Sequence, residues 1–192
     1  MSRFASIAWA ALARVALSGV ALFSVGTGCG YTWAGASDAP QLGAVAIETP
    51  RNASGEGGLH FVVADALRRE VMRRPGARLT EDPDGADWVV AGQVLPLRVA
   101  AASLSPVVLT LEYELTLGLD LTATATDGRE LRFDPQRFRE TERFLASADA
   151  EAQRKNRVEA LRRISRTLAA RFLDQLAVSA ATPEPGPPGD PS

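Results

Sequence analysis

The longest regular pattern in the chain is an alternation of apolar and polar residues over 107–126. Apolar side chains occupy every odd position of this segment, while most even positions hold polar residues or glycine. A period of two residues is typical of a β-strand with one buried and one solvated face. At about 3.3 Å per residue, an unbroken strand of this length would reach roughly 60 Å. We therefore expect Gly118 to mark a bend or a bulge.

A turn and a returning strand follow the alternation. Asp127-Gly128 is typical of a two-residue hairpin turn, so we expect the chain to return antiparallel through 130–133. Pro135 interrupts the return because proline has no amide proton to donate to a sheet. The pattern predicts that the strand resumes over 136–144.

Two segments have the three- and four-residue spacing of apolar positions that indicates amphipathic helices. The first helix is predicted over 59–74 and ends at Pro75-Gly76, which does not continue a helix. The second is predicted from 149 to about 178 and precedes a tail rich in proline and glycine.

Shorter apolar runs predict strands over 43–49, 78–80 and 88–99, and Pro96 marks an irregularity or an edge position in the last of them. The resulting order is β-α-β-β-β-α with one antiparallel meander. We therefore predict an α+β fold in which two helices pack on one face of a four-stranded mixed sheet.

The first 28 residues have the order of segments that an export signal requires. Arg3 and Arg14 supply positive charge, residues 15–25 are uncharged and apolar, and residues 26–28 are small. The apolar run is well short of the roughly 20 residues that span a bilayer. Cys29, the only cysteine in the chain, follows directly. Cleavage before it predicts lipid attachment at Cys29; the alternative is a secreted protein whose cysteine lies near an ordinary cleavage site.

Composition limits the remaining possibilities. We predict a lipoprotein signal peptide over 1–28, a lipidated N-terminal segment over 29–42, one α/β domain over 43–180 and a disordered tail over 181–192. After cleavage, 19 basic and 23 acidic residues remain, a net charge of −4. A net negative charge does not provide the positive electrostatic field that is typical of a nucleic-acid-binding protein. A single cysteine allows no intramolecular disulfide.

Little in the sequence supports catalysis. His60 is the only histidine, and its place in the first predicted helix beside Phe61 indicates a helix-surface or boundary residue rather than a member of a catalytic set. Glu112 and Glu114 share the outward face of the long strand and could pair as acid and base, but solvated carboxylates on a sheet face are far commoner. We predict no enzyme, no metal site and no cofactor.

The last predicted helix is strongly basic. Seven cations face one acid, Glu159, over 154–171: Arg154, Lys155, Arg157, Arg162, Arg163, Arg166 and Arg171. One interpretation is contact with anionic lipid, since arginine binds phosphate with two parallel hydrogen bonds. The other is an ordinary solvated face opposite the apolar seam. We favour the solvated face.

Short motifs in this order resemble the lipopolysaccharide-assembly lipoprotein family (LptE-type), whose members form the plug subunit of the outer-membrane lipopolysaccharide translocon. The matching residues are the run Cys29-Gly30-Tyr31-Thr32-Trp33-Ala34-Gly35, in which Ala34 replaces the usual arginine, then Val45-Ala46-Ile47, Asn52-Ala53-Ser54, Ala66-Leu67-Arg68-Arg69-Glu70, Ala86-Asp87 and Ala160-Leu161. The resemblance covers nearly all of the chain after Cys29 except the tail.

The resemblance implies a non-enzymatic lipoprotein at the periplasmic face of the outer membrane. It would plug and help assemble a β-barrel partner of the LptD type and take part in lipopolysaccharide delivery to the outer leaflet. Gly30, next to Cys29, lacks the aspartate that favours inner-membrane retention in enteric bacteria. The alternative function is a periplasmic activator lipoprotein that binds a cell-wall synthase.

The resemblance also implies where lipopolysaccharide is engaged: at the loop that joins the two long strands, and at the region entering the last helix. Here that loop is predicted over 100–106 and carries no charge. We therefore expect any phosphate contact to come from four residues outside the loop: Arg98, Arg143, Arg154 and Lys155. Ser103 and Ser105 could add only neutral hydrogen bonds, worth about 0.5–1.5 kcal/mol each.

Lipidation at Cys29 has a direct test. The change Cys29→Ser removes the thiol that accepts the lipid, so we expect labelling by a fatty-acid analogue to be lost and the protein to move to the soluble periplasmic fraction. Continued labelling of the serine variant would reject the assignment.

Overall fold

The computed structural model describes residues 41–104 and 110–182. Along this part of the chain the elements follow in the order β1 (Gly43–Ile47), β2 (Arg51–Asn52), α1 (Leu59–Arg73), β3 (Ala77–Thr80), β4 (Trp88–Val94), β5 (Arg98–Leu104), β6 (Thr110–Ala125), β7 (Glu130–Arg132), β8 (Arg139–Leu145) and α2 (Ala150–Ala181). The strands form one mixed sheet with the main order β3-β1-β4-β6-β5.

Strand β6 is the centre of the sheet, because it is paired along both of its edges. On one edge β4 pairs with its C-terminal half and β5 with its N-terminal half, both antiparallel. On the other edge β7 pairs with the C-terminal half of β6 and β8 with its N-terminal half, again antiparallel. The predicted long strand is confirmed as a continuous element of 16 residues.

The irregularity expected at Gly118 lies in the flanking strands. Both edges are interrupted beside this residue: Leu95 donates its N–H to the Gly118 carbonyl at 2.9 Å, and Leu119 donates to the Phe138 carbonyl at 2.9 Å. A β-carbon on Gly118 would lie 3.1 Å from Leu95 Cδ1 and 3.4 Å from Arg139 Cγ. Glycine therefore allows both interrupted edges to approach β6 closely.

The parallel part of the sheet is built on β1, which lies between β3 and β4. The Asp87 carboxylate, just before β4, accepts the Ala44 N–H at 2.6 Å. Gly43 has φ +67°, and a β-carbon there would clash with the same carboxylate. The N-terminal end of β1 is thus fixed to the start of β4, beside the C-terminal end of β6 where Trp88 lies opposite Ala125.

The prediction of four strands was wrong, although the α+β class and the mixed sheet are confirmed. Residues 95–97 separate β4 from β5, because Pro96 cannot donate to the ladder. The predicted loop over 100–106 is also corrected, since residues 100–104 belong to β5. The hairpin turn holds three residues, 126–128, as Ala125 donates to the Arg129 carbonyl and Gly128 adopts φ +86°.

Both helices pack on one face of the sheet. Helix α1 contacts β1, β3 and β4, and α2 contacts β6 and β8. The two helices run side by side in the same direction, because Glu56 before α1 pairs with Arg157 and Arg74 after α1 pairs with Asp174. The odd-numbered leucines of β6 form the floor of the core beneath them: Leu115, Leu117, Leu119 and Leu121.

The two faces of β6 should differ sharply in their effect on stability. Leu117 is fully buried, so Leu117→Ala should lower the free energy of unfolding by about 2–5 kcal/mol. Thr116 lies on the opposite face and shares a hydroxyl hydrogen bond of 2.9 Å with Thr141 that water can replace, so Thr116→Ala should cost well under about 1 kcal/mol. Urea titration measures both; equal losses would mean that the burial pattern of β6 is different.

Candidate functional site

Arg98 and Arg143 lie on the outer face of the sheet, away from the helices. Arg98 is opposite Thr116 in β6, and Arg143 is opposite Glu114. Both partners belong to the face of β6 that alternates with the buried leucines. Arg143 donates to the Glu114 carboxylate at 3.4 Å; the Arg143 side chain is well exposed and that of Glu114 is half-buried. Solvent screening makes such a pair weak, so Arg143 can exchange Glu114 for another anion.

Arg154 and Lys155 lie at the start of α2, and α2 packs on the other face of the sheet. The exposed Arg154 holds the Glu151 carboxylate by two hydrogen bonds of 2.9 and 2.6 Å. These hydrogen bonds, and then the opposite charge, lower the pKa of Glu151 and raise the pKa of Arg154. The structure therefore divides the four predicted contact residues into two pairs on opposite faces.

Two other parts of the predicted site lie outside the described residues. Cys29, the predicted lipidation site, is one, and residues 105–109, which include Ser105, are the other. Ser103 is in β5 opposite Glu112, where the register of β5 against β6 shifts.

Most of the basic residues of α2 form ion pairs with carboxylates of the same chain. Five of the seven pair with nearby carboxylates: Arg154 with Glu151, Arg157 with Glu56, Arg162 with Glu159, Arg163 with Glu142 and Arg171 with Glu140. Glu140 and Glu142 are on β8, so two of these pairs hold α2 against the edge of the sheet at 2.5 and 2.6 Å. In the part of the chain that the structure describes, Lys155 and Arg166 take part in no ion pair. The pairs of Arg157, Arg163 and Arg171 reach other parts of the fold, which supports a structural role for these three residues.

His60 and Glu114, two of the residues with catalytic potential, lie in different parts of the fold, on α1 and on β6. The ring of His60 lies 4.0 Å from that of Phe61, and Glu114 pairs with Arg143. Within 41–104 and 110–182, no three histidine, cysteine, aspartate or glutamate side chains form a cluster able to hold a metal ion. Over the same ranges, neither helix is both long enough and apolar enough to cross a membrane.

A groove of about 730 Å³ lies between α1 and α2 on the outer surface of the helix layer. Phe61, Val62 and Ala66 line it from α1, and Arg162, Arg166 and Ala170 line it from α2. Sequence patterns do not reveal this groove, because its two walls are about 100 residues apart in the chain. Only the exposed Phe61 on an otherwise amphipathic helix gives a local signal for it.

The motifs shared with the lipopolysaccharide-assembly lipoproteins hold the fold together. Asn52 accepts the Ser54 N–H at 3.1 Å and donates to the Glu56 carbonyl at 2.8 Å, which shapes the turn before α1. Arg68 donates to the Ile47 carbonyl at 3.0 Å and so joins α1 to the end of β1. Asp87 fixes the start of β1 through the Ala44 N–H. These residues position elements rather than form a reaction site.

The fold is that of an α+β domain in which two parallel helices cover one face of a mixed sheet. The LptE family, described as lipopolysaccharide-assembly, matches residues 42–176, which is more than half of the chain. The chain therefore belongs to the LptE family, a family of non-enzymatic lipoproteins with a role in lipopolysaccharide assembly.

Solved structures of several lipoproteins are similar in fold to this chain. Rare lipoprotein B from Shewanella oneidensis is 15% identical, with a TM-score of 0.48, and the match covers 71% of this chain and 95% of that one. Lipoprotein B from Nitrosomonas europaea is 15% identical, with a TM-score of 0.46, and the match covers 73% of this chain and 86% of that one. A minor lipoprotein from Acinetobacter baumannii is 17% identical, with a TM-score of 0.43, and the match covers 73% of this chain and 96% of that one. A search of curated proteins finds no match.

The ion pairs of Arg74 should matter more than those of its neighbour Arg69. Arg74 is mostly buried and binds Glu70, Asp174 and the Ala170 carbonyl at 2.7–3.1 Å, which joins the ends of the two helices. Arg74→Ala leaves the buried Glu70 carboxylate short of a partner, so we expect a loss of about 1–3 kcal/mol in the free energy of unfolding.

The matched control is Arg69→Ala, which breaks an exposed pair four residues apart with Asp65. Exposed pairs contribute little, so the loss there should be about 0.5 kcal/mol or less. Urea titration of both variants measures the difference; similar losses would show that the Arg74 contacts do not hold the helices together.

Proposed function

We propose that this chain is an outer-membrane lipoprotein, anchored through Cys29 at the periplasmic face, that plugs and helps assemble an LptD-type β-barrel. In that role it takes part in delivering lipopolysaccharide to the outer leaflet. The observation that carries the proposal is the LptE family match over residues 42–176, which extends from the start of β1 into α2. The matched region is thus the whole framework of the fold.

The direction of β6 supports the proposal, because the chain enters the domain at one end of this strand and the candidate contacts lie toward the other end. Gln41, the first described residue, is 12 residues after Cys29, a tether of at most about 40 Å. It precedes β1, beside the C-terminal end of β6. The N-terminal end of β6 is about 50 Å away at about 3.3 Å per residue. We call the two ends of the domain the anchor end and the tip.

The four predicted contact residues belong to the half of the domain that includes the tip. Arg98 and Arg143 pair with the N-terminal half of β6, and Leu145 at the end of β8 lies opposite Glu112. Arg154 and Lys155 follow a few residues later, where Asn156 donates to the Leu145 carbonyl at 3.0 Å. Lipopolysaccharide presents phosphates, and guanidinium groups bind phosphate well. A ligand reaching the tip would therefore meet cations on both faces of the sheet.

The partner can be identified by purification of the lipidated chain from membranes solubilised in mild detergent. We expect a large outer-membrane β-barrel to co-purify in a fixed ratio, and the ratio should survive extensive washing. Recovery of an inner-membrane cell-wall synthase in place of a barrel would contradict the proposal and support the activator function.

The four predicted contacts should make lipopolysaccharide binding dependent on salt. Changing Arg98, Arg143, Arg154 and Lys155 together to glutamine should weaken binding by at least about tenfold, because one charge-assisted hydrogen bond contributes about 1.5–3 kcal/mol. Binding should also weaken with salt, since charges are screened over about 10 Å at 0.1 M.

A control variant loses the same charge elsewhere: Arg51, Arg78, Arg132 and Arg137, all exposed, are changed to glutamine. Its binding should remain close to that of the parent. If the tip variant binds as tightly as the control across a salt series, the four residues do not contact phosphate.

A further inference from the structure

The groove between α1 and α2 is distinct from the four predicted contact residues, since none of the four lines it. It is formed by the parallel packing of the two helices, and its length follows from the helical rise. From Phe61 to Arg73 the α1 wall measures about 18 Å at 1.5 Å per residue. One leaflet of a bilayer, half of a hydrocarbon core of about 30 Å, has a similar depth of about 15 Å. The groove is therefore as long as one acyl chain.

The apolar part of the groove lining is a narrow strip. Ala66 and Ala170 belong to it, and the buried Glu70 also lines the groove. The small alanine side chains leave a trough between the helices. Val62 and Phe61 continue the apolar surface toward the N-terminal end of α1, where 62% of Phe61 is exposed to solvent. An exposed aromatic side chain at the end of an apolar trough is favourable for a ligand that brings its own apolar surface.

The rim of the groove is rich in arginine. Arg69 and Arg73 border it on α1, and Arg162 and Arg166 border it on α2. Three of them pair with carboxylates of their own helix, namely Arg69 with Asp65, Arg73 with Glu70 and Arg162 with Glu159. Both side chains are well exposed in the Arg69–Asp65 and Arg162–Glu159 pairs, and such pairs contribute little. Arg69 and Arg162 are therefore available to a stronger anion, whereas Arg73 pairs with the buried Glu70.

Arg166 is different from the other three. It is exposed on α2, and within the described residues it takes part in no ion pair. With the three acids counted, the groove carries a net charge of +1, and that charge lies at Arg166. The apolar strip and the unpaired cation together fit a ligand with a long hydrocarbon chain next to an anionic group.

We propose that this groove holds one acyl chain and the adjoining phosphate of lipopolysaccharide, with the chain over Ala66, Ala170 and Phe61 and the phosphate at Arg166. The identity of the ligand rests on the proposed function, whereas the site itself rests on the groove. An amphipathic helix of a partner protein fits less well, because its broad apolar face would meet charged side chains along both walls. The chain thus has a second lipid contact, on the helix layer.

Photo-crosslinking in the full-length protein tests the site. A benzoyl-phenylalanine placed at Phe61 replaces one exposed aromatic residue with another, and the same residue at Met72 is the matched control. Met72 is on the same helix and equally exposed, at 61%, but does not line the groove. With purified lipopolysaccharide as the probe, we expect an adduct from position 61 and at least about tenfold less from position 72.

Two further changes test the two halves of the groove separately. Ala170→Leu fills the trough and should abolish the adduct from position 61, whereas Ala181→Leu, at the exposed end of α2, should leave it unchanged. In the Arg166→Gln variant, the concentration of unlabelled lipopolysaccharide needed to halve the adduct should rise by about fivefold or more. Circular dichroism checks that each variant has the helical content and melting behaviour of the parent.

Competitors identify the ligand. Lipopolysaccharide should suppress the adduct, and its deacylated form and phosphatidylglycerol vesicles should suppress it far less.

Four results would each overturn the proposal. These are equal adducts from positions 61 and 72, an adduct that persists in Ala170→Leu, equal competition by the vesicles, and an adduct with a protein in place of the lipid. If the parent binds lipopolysaccharide and co-purifies with a barrel but gives no adduct at position 61, only the groove assignment fails. If it does neither, the proposed function fails as well.

Discussion

The hydrogen bonding of β6 along both edges is the constraint on which the rest of the fold depends. Four other strands are aligned by this one element, and the odd-numbered leucines of β6 provide the surface on which α2 packs. The same strand separates the anchor end, where the chain enters the domain, from the tip by about 50 Å. A substitution that shifted β6 by one residue would exchange its buried and solvated faces, so the core and both ends of the domain depend on a single register.

The elements with strong local periodicity could be predicted from the sequence, and those set by tertiary contacts could not. The alternation in β6, the apolar stripes of α1 and α2 and the turn at Asp127-Gly128 all depend on residues close together in the chain. By contrast, β2 has only two residues and exists because it pairs with β4. The division of the predicted strand over 88–99 into β4 and β5 is visible locally only through Pro96. The continuation of β5 to Leu104 depends on the pairing with β6.

The candidate site, too, could be predicted from the sequence only where it depends on local features of the chain. The charges of Arg98, Arg143, Arg154 and Lys155 can be seen in the sequence, but their separation onto two faces follows from sheet register and helix packing. The partners of Arg163 and Arg171 are carboxylates on β8 that no sequence spacing reveals. The groove between the helices is likewise a product of packing. Family motifs such as Asn52 and Asp87 position the elements through hydrogen bonds within the chain.

The proposed role as a barrel plug makes one claim that can be tested directly: the tip, rather than the anchor end, is the part of the domain that meets the proposed β-barrel partner. Site-specific photo-crosslinking in intact cells tests it most directly, with the crosslinker at Leu145 for the tip and at Asp127 for the anchor end, both exposed. Adducts are identified by mass spectrometry. We expect an adduct between Leu145 and a large outer-membrane β-barrel, with little or none from Asp127. A barrel adduct that forms as readily from Asp127, or from neither position, would contradict the claim.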